Sequence, residues 1–194
     1  MPLFVLIMVV VNMRLGVFGG DLTSTQLTAF GVSLASLKQG EWFRLISGSF
    51  ISHDVDMFVR QFLFAAIAIG WYEWHQGTTR AVLMFFFLDI LGTLTLMFGI
   101  ILTLELLELD GFSGLSATFD VGMSAGGFGL IGASIFHLQR ARWILTLGMI
   151  ALVVKSLLFP EIIADIAHLL MLPAGFLVER IRLQMGGAQQ ANLG

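Results

Sequence analysis

One serine and one histidine lie in apolar stretches of the sequence that contain few other polar side chains. Ser124 lies in VGMSAGGFGLIGAS, residues 121–134, and His168 lies in IADIAHLLMLPAG. A hydroxyl group that passes its proton to an imidazole can act as the nucleophile of covalent hydrolytic catalysis. The two residues therefore predict a serine nucleophile with a histidine general base, if two separate segments bring them together.

Small residues around Ser124 allow a second interpretation. They recur at spacings of three and four, which predicts a helix face almost free of side chains, at Gly122, Gly126, Gly129 and Ala133. In a membrane such a face lets another helix approach closely. Near a helix N-terminus, Ser124 would also lie beside unpaired amides that favour a developing negative charge. Packing alone, with the hydroxyl bonded to a carbonyl, stays an alternative for Ser124; an interior histidine bonded to a neighbour is the alternative for His168.

Composition indicates what kind of protein positions these residues. Of 194 residues, 57% are hydrophobic and 12% are charged, and the mean hydropathy is +0.92. The charged fraction is about half that of a soluble domain, so we predict an all-α polytopic membrane protein that contacts the lipid bilayer. A net charge of −3 without a basic cluster argues against a nucleic-acid partner. No metal-ligand cluster or phosphate loop is apparent, so we expect no metal and no other cofactor.

Six apolar stretches are candidates for helices that cross the bilayer. They cover residues 2–19, 57–74, 80–104, 121–138, 143–159 and 161–179. The first lacks a basic start and a small-residue cleavage site, so we interpret it as a helix, with a cleaved leader as the alternative. Ser124 would then lie about one turn into the fourth helix. We expect one membrane domain over 1–182 and a polar, disordered tail over 183–194.

Basic residues in the connections predict the orientation in the membrane. The connections on the side of the N-terminus contain Arg80, Arg140, Arg142, Arg180 and Arg182. The other side has as many Lys and Arg residues, spread over far more chain, so their density predicts cytoplasmic termini. We expect a multi-pass protein of a bacterial inner membrane. Segment 20–56 is then on the outer face. Its GEWFRLISGSFI stretch, with Trp42 and Phe43 beside Arg44, suits the headgroup boundary.

The motifs, taken in order, resemble those of the rhomboid family of intramembrane proteases. That family carries a GxSG motif before a glycine- or alanine-rich helix and an AHxxG motif on its last core helix. GMSAGGFGLIGA and AHLLMLPAG stand in those places. Upstream, GEWFRLISGSFISH is similar to the family's tryptophan–arginine loop, and GWYEWHQG to the end of its second helix. The resemblance covers about residues 39–181. It implies a six-helix rhomboid-like bundle with a membrane-embedded loop between the first and second helices.

The resemblance also implies roles for the matching residues. Ser124 would be the nucleophile and His168 the general base, and Phe128 would stack on the imidazole. Structural positions would be Arg44, Glu73, Gly122, Gly126, Gly129 and Gly175. Such a dyad would cleave a transmembrane segment of a substrate protein, which would reach it laterally past residues 143–160.

Several positions depart from the family's pattern. Ala125 replaces the second glycine of the serine motif, and Met171 replaces the glycine after the histidine. Counting back from Glu73, the two oxyanion donors of the second helix fall at Met57 and Gln61. Gln61 keeps an amide donor, whereas Met57 has none, and losing one such donor costs about 10²–10³ in rate. The alternative is a non-catalytic rhomboid-like protein that binds transmembrane helices or is a subunit of a larger membrane complex.

Three further polar residues have open interpretations. Ser113, in GFSG, matches the four-letter motif better than Ser124, but polar LSATFD follows it in place of a glycine-rich helix. Asp89, in FFFLDILG, would belong to a proton path or would be a protonated carboxyl bonded between helices. Asp165 would orient the imidazole of His168 or serve as a first-turn acid of its helix. A transporter that uses Asp89 is a third hypothesis for the function.

Overall fold

Helices form nearly all the regular structure of this chain. The computed structural model describes residues 1–108 and 114–191, with side chains through residue 185. In this part of the chain the β-type pairing is a single isolated antiparallel bridge between Val32 and Asp120. The all-α class predicted from composition is therefore confirmed.

Ten α-helices follow one another within these residues. They are α1 Pro2–Leu15, α2 Ser24–Phe30, α3 Leu34–Lys38, α4 Arg44–Ser47, α5 Val55–Gln76, α6 Thr78–Leu94, α7 Leu102–Leu106, α8 Ser124–Phe136, α9 Ala141–Leu158 and α10 Ile162–Ala191. A π-helical segment, Thr95–Ile101, joins α6 and α7 into one continuous helix. Short 3-10 turns cover Val17–Gly19, Gly48–Phe50 and Leu115–Ala117.

Four of the described helices are long and apolar enough to cross a membrane. They are α5, the continuous helix Thr78–Leu106, α9, and the Ile162–Met185 part of α10. The helices α1 and α8 are apolar but shorter, with 14 and 13 residues. At about 1.5 Å per residue each is about 20 Å long, whereas the hydrocarbon core of a bilayer is about 30 Å thick. The chain is thus a membrane protein with four full-length candidate spans, and the count of six stays a prediction.

Glycines explain why the two shorter helices differ from their predicted bounds. Gly16 ends α1 in the left-handed conformation with φ 78°, so the helix does not reach residue 19. Gly122 has φ 115°, which is outside the helical range, and α8 begins only at Ser124. The prediction that Ser124 lies one turn into its helix is therefore wrong, because Ser124 is the first helical residue. Gly122 precedes the helix and does not contribute to its face.

The small residues of α8 serve three neighbouring helices. α8 lies among α5, α6 and α10. Within the helix, Gly126 and Gly129 face α6, Gly127 faces Phe64 of α5, and Gly132 faces α10. The closest approach is to α10, where a Cβ on Gly132 or on Gly175 would overlap a backbone carbonyl oxygen of the other helix. Gly126 and Gly129 of the expected small-residue face thus lie towards one helix, α6, and Gly127 and Gly132 allow close approach on two other sides of α8.

The segment between α1 and α5 contains α2, α3 and α4. Arg44 is buried at the start of α4, where its guanidinium donates to the carbonyls of Thr28 at 2.7 Å and Gly31 at 2.6 Å. Trp42 and Phe43, just before it, are exposed. This segment is therefore amphipathic, as the sequence indicated, and Arg44 has structural contacts. Its position in a membrane stays a prediction.

The two C-terminal helices have different environments. None of the residues of α9 is buried, and the helix packs on α10 and α8. α10 continues through Ala191, past residue 183, where the sequence indicated a disordered tail. Leucine, glutamine, methionine and alanine, which favour helix, make up most of residues 183–191. The domain boundary at residue 182 stays a prediction.

One end of the bundle contains a group of paired polar side chains, of which Tyr72 and Glu179 are buried. The amino group of Met1 bonds to Glu73, at the end of α5, and Thr78 donates to the same carboxylate at 2.7 Å. Beside it, Glu179 is 0% exposed. Glu179 accepts from Tyr72 at 3.0 Å, bonds to His137 at 2.7 Å and pairs with Arg182 at 2.5 Å. We call Tyr72, His137, Glu179 and Arg182 the Glu179 cluster.

Candidate functional site

Ser124 and His168 line the same cavity. Its volume is about 800 Å³, and α5, α8, α10 and the residues just before α8 form its walls. The volume lies within the usual range of about 300–1,000 Å³ for small-molecule pockets. Most lining side chains are apolar, among them Met57, Phe64 and Phe128. We call this space the Ser124 cavity; it brings together the two segments that the sequence predicted to meet.

The imidazole of His168 is held by stacking. Phe128 lies against it with ring centroids 4.1 Å apart and planes inclined by 29°, and Phe64 contacts Phe128 at 5.1 Å. The predicted stack of Phe128 on His168 is therefore present. The Nε2 atom of His168 is buried and has no hydrogen-bond partner among the described residues. It thus lacks the neighbour that a purely structural interior histidine would bond.

The hydroxyl of Ser124 is also unengaged. Within the described part of the chain it forms no hydrogen bond to His168 and none to a backbone carbonyl. The packing alternative for Ser124 required a hydrogen bond from its hydroxyl to a backbone carbonyl. Catalytic hydrogen bonds are often long before substrate binds, so the absence of a hydrogen bond between Ser124 and His168 is compatible with a dyad.

The first turn of α8 leaves two backbone amides free beside the hydroxyl. The Gly127 amide donates to the Met123 carbonyl at 3.0 Å, and the Gly126 amide donates to Asp89 at 2.8 Å. The amides of Ser124 and Ala125 have no acceptor in the part of the chain that the structure describes. Unpaired amides at a helix N-terminus bind anions, so these two are candidate donors to an oxyanion.

A buried relay orients the side chain of Gln61 at the edge of the cavity. The Ser52 hydroxyl donates to Gln61 Oε1 at 3.0 Å, and the Ser52 amide donates to Asn12 Oδ1 at 2.9 Å. With its oxygen held, Gln61 turns its amide nitrogen towards Gly122, where a Cβ would overlap it. The methyl group of Met57 would lie 2.9 Å from the same Cβ. Met57 and Gln61, at which the resemblance implied oxyanion donors, therefore both flank the backbone two residues before Ser124.

Sequence reasoning missed Ser52 and Asn12. Asn12 is fully buried, and its side chain also donates to the carbonyls of Met8 at 2.7 Å and Phe50 at 2.8 Å. A signal was available, because Asn12 is the only uncharged polar side chain in PLFVLIMVVVNMRL. A lone amide in an apolar helix needs a partner inside the protein.

Asp165 does not bond to His168. Its carboxylate accepts from Lys155 at 2.8 Å and from the Glu161 amide at 2.7 Å. Lys155 also bonds Glu161 at 2.7 Å, so three charges join the ends of α9 and α10. The interpretation that Asp165 orients the imidazole is wrong, because both its oxygens are used at the first turn of α10.

Asp89 is bonded between structural elements. Besides the Gly126 amide, it accepts from the Ser49 hydroxyl at 2.5 Å, and it is 3% exposed. This geometry fits the interhelical hydrogen bond, one of the two roles considered for it. The rival Ser113 lies outside the described residues.

Asp54 caps α5 near the cavity. Its side chain accepts from the Met57 amide at 2.7 Å. This bond holds the pKa of the Asp54 carboxyl below its ordinary value. The cap fixes the start of the helix that carries Met57 and Gln61.

Neither a metal site nor a known relative identifies this site. Among the described residues, no group of three His, Cys, Asp or Glu side chains could hold a metal ion. Comparison with protein-family models and with curated proteins finds no match to the sequence. The relation to the rhomboid family therefore stays a resemblance based on motifs.

Proposed function

We propose that this chain is a rhomboid-like intramembrane serine endopeptidase with Ser124 as nucleophile and His168 as general base. One observation carries the proposal: the buried Nε2 of His168 has no hydrogen-bond partner among the described residues, and His168 lines the cavity that Ser124 also lines. Leaving a buried polar atom unpaired costs about 1–3 kcal/mol of stability, which favours a functional role for the His168 nitrogen. Proton transfer from a serine is the use that the neighbouring hydroxyl supports.

The reaction follows from the positions of these groups. His168 Nε2 takes the proton of the Ser124 hydroxyl as Oγ bonds to the carbonyl carbon of a peptide. The carbonyl oxygen becomes an oxyanion, which the amides of Ser124 and Ala125 and the side chain of Gln61 would hold. When the peptide C–N bond breaks, His168 returns its proton to the leaving amine and an acyl-enzyme forms. Water then attacks the ester, with His168 again as base.

The substrate in this proposal is a transmembrane segment of another protein. It would have to unwind, because an intact helix hides its carbonyls in hydrogen bonds. Lateral access past residues 143–160 is supported by α9, which has no buried residue. We further propose that six segments cross the membrane, including the shorter α1 and α8, and that the loop between α1 and α5 is embedded in the membrane at its outer face. Both termini would be cytoplasmic, and the protein would lie in a bacterial inner membrane. The bond between Met1 and Glu73 places the start of α1 at the end of the bundle that carries the Arg80 connection. The basic residues on that side support its cytoplasmic location.

The second candidate is a non-catalytic rhomboid-like protein that binds transmembrane helices or serves as a subunit. Two observations favour it: Met57 brings a methyl group to a place where the family has a donor, and no hydrogen bond joins Ser124 to His168 in the described chain. The apolar cavity would then hold a helix without cutting it. Both candidates predict binding, and they differ in the reactivity of Ser124.

Labelling with a fluorophosphonate probe separates the two candidates. The folded protein in detergent should be labelled at Ser124, as located by peptide mapping, and Ser124→Ala and His168→Ala should abolish the label. Ser47→Ala is the matched control, because the Ser47 hydroxyl is also buried without a partner in the part of the chain that the structure describes, and it does not line the Ser124 cavity. A folded wild type without label would favour the binding protein. Label at Ser113 would show that Ser113, and not Ser124, is the nucleophile.

A further inference from the structure

Helix α8 begins without a side-chain cap of its own. Met123 occupies the N-cap position, and its side chain forms no capping hydrogen bond. The first amides of a helix have no intrahelical partner, and inside a bilayer there is no bulk water to replace one. The turn that carries Ser124 therefore depends on acceptors from other parts of the fold.

Asp89 of α6 supplies such an acceptor. Its Oδ1 accepts from the Gly126 amide at 2.8 Å, at the third position of α8, and its Oδ2 accepts from the Ser49 hydroxyl at 2.5 Å. Aspartate is among the best N-cap residues because its oxygen accepts from the second or third helical amide. Here the same bond is made from a neighbouring helix.

The backbone is shaped to receive this carboxylate. A Cβ on Gly126 would lie 2.8 Å from the Asp89 Cβ, so a side chain there would push the carboxylate away from the helix. Before the serine, the Gly122 amide donates to the Gly48 carbonyl at 2.9 Å. The Gly48–Phe50 turn thus fixes the backbone on both sides of Ser124, directly at Gly122 and through Ser49 and Asp89 at Gly126.

We propose that Asp89 is a positioning residue that caps α8 from outside the helix and holds Ser124 in its reactive geometry. The inference rests on the proposed function. Of the first three amides of α8, Asp89 accepts only that of Gly126, so it fixes the first turn while the amides of Ser124 and Ala125 stay free for an oxyanion. Displacement of a reacting group by about 1 Å lowers a rate by about 10²-fold, so a loosened cap would affect catalysis strongly.

Two substitutions of Asp89 test the cap. Asp89→Leu removes the acceptor, whereas Asp89→Asn keeps an oxygen for the Gly126 amide. For the full chain in detergent, Asp89→Leu should lower kcat and the rate of fluorophosphonate labelling per folded molecule by roughly 10- to 100-fold, with KM little changed. Hydrogen exchange of the Gly126 amide should become faster. Asp89→Asn should restore both the rate and the protection.

Tyr72→Phe is the matched control. It removes another buried side-chain hydrogen bond, to Glu179, at the other end of the bundle. It should lower thermal stability without changing the labelling rate per folded molecule. If Asp89→Leu behaves in the same way, with a wild-type labelling rate, the positioning role is wrong and the proposed function stands.

Two further outcomes are decisive. If Asp89→Leu does not fold, Ser49→Ala removes one of the two bonds to Asp89 and should give a smaller loss of rate; an unchanged rate would overturn the proposal. If the wild type itself is not labelled at Ser124, the proposed function fails. Exchange at the Gly126 amide then tests the cap alone. Equally fast exchange in the wild type and in Asp89→Leu, or in Ser49→Ala if Asp89→Leu does not fold, would refute the cap.

Discussion

The two ends of α8 present polar groups in opposite states. At its first residue, the Ser124 hydroxyl and a ring nitrogen of His168 have no hydrogen-bond partner within residues 1–108 and 114–191, and both residues line a cavity of about 800 Å³. Just after its last residue, His137 joins the Glu179 cluster, in which a fully buried carboxylate bonds to three side chains. The short helix α8 therefore connects a site whose polar groups lack hydrogen-bond partners among the described residues to a site whose polar groups are hydrogen-bonded.

This difference separates stability from function. A buried charge that is paired and hydrogen-bonded fixes the geometry around it. Removing one partner leaves the remaining buried groups unpaired, and their desolvation is then no longer compensated. A buried polar atom without a partner lowers stability, and its replacement by an apolar group can raise stability. We therefore expect substitutions at the two ends of α8 to change stability in opposite directions.

The largest expected effect is at His168. His168→Phe keeps a ring against Phe128 but removes Nε2, so turnover of a transmembrane substrate should fall by about 10⁴-fold or more, as for loss of a general base. Because an unpaired buried nitrogen is lost, the free energy of unfolding should stay the same or rise by about 1 kcal/mol. Cleavage assays and thermal unfolding in detergent measure the two quantities. Retained turnover would refute the dyad.

Glu179→Ala should produce the reverse result. Tyr72, His137 and Arg182 would lose their common partner, so the free energy of unfolding should fall by about 3 kcal/mol, the low end of the range for a broken buried pair. His137 and Arg182 are each 31% exposed, and water can replace part of the loss. The labelling rate of Ser124 per folded molecule should not change. A large drop in that rate would mean that the two ends are coupled through α8.

Gln61→Ala should have an intermediate effect on rate. If the protein is an active protease, loss of one oxyanion donor lowers turnover by about 10- to 1,000-fold while folding stays intact. Ser52→Ala frees the amide to rotate but leaves it in place, so it should cost less. Met57→His should be neutral or should raise turnover, because it restores a donor beside Gly122. Unchanged turnover in Gln61→Ala would exclude Gln61 from the mechanism.

The sequence predicted the helices better than it predicted their environments. Apolar stretches of about 20 residues specify spanning helices by length alone, which is why α5, α9 and α10 were recognisable. The start of α8 was not, because the conformation of Gly122 depends on the space beside Gln61 and Met57, which are 61 and 65 residues away in the chain. The contacts of the glycines in α8 were likewise not predictable, because they depend on which neighbouring residue, such as Leu88, Phe64 or one in α10, packs against each glycine.

The same limit applies to the candidate site. The residue types and order indicated Ser124, His168, Phe128 and Gln61, and the structure brings them to one cavity. The partners of Asp89 and Asp165 were not predictable, because each carboxylate had several possible donors at similar helical depth. Only the packed structure selects Ser49 and Gly126 for one and Lys155 for the other.

The smallest effect is expected at Asp54, which caps α5 below the Ser124 cavity. Asp54→Ala should lower the free energy of unfolding by about 1 kcal/mol, the usual loss of an N-cap. The Met57 amide, and more weakly His53 and Arg60, hold the Asp54 pKa below its ordinary 3.8 in the folded state. The stabilisation is thus fully present above the unfolded pKa of about 4 and is lost as the pH falls through the lower folded value. Asp54→Asn keeps the cap but cannot titrate, so wild type should lose more stability than this variant on acidification below about pH 4. Identical acid dependence of unfolding in the two proteins would show that the carboxylate charge adds nothing to the cap.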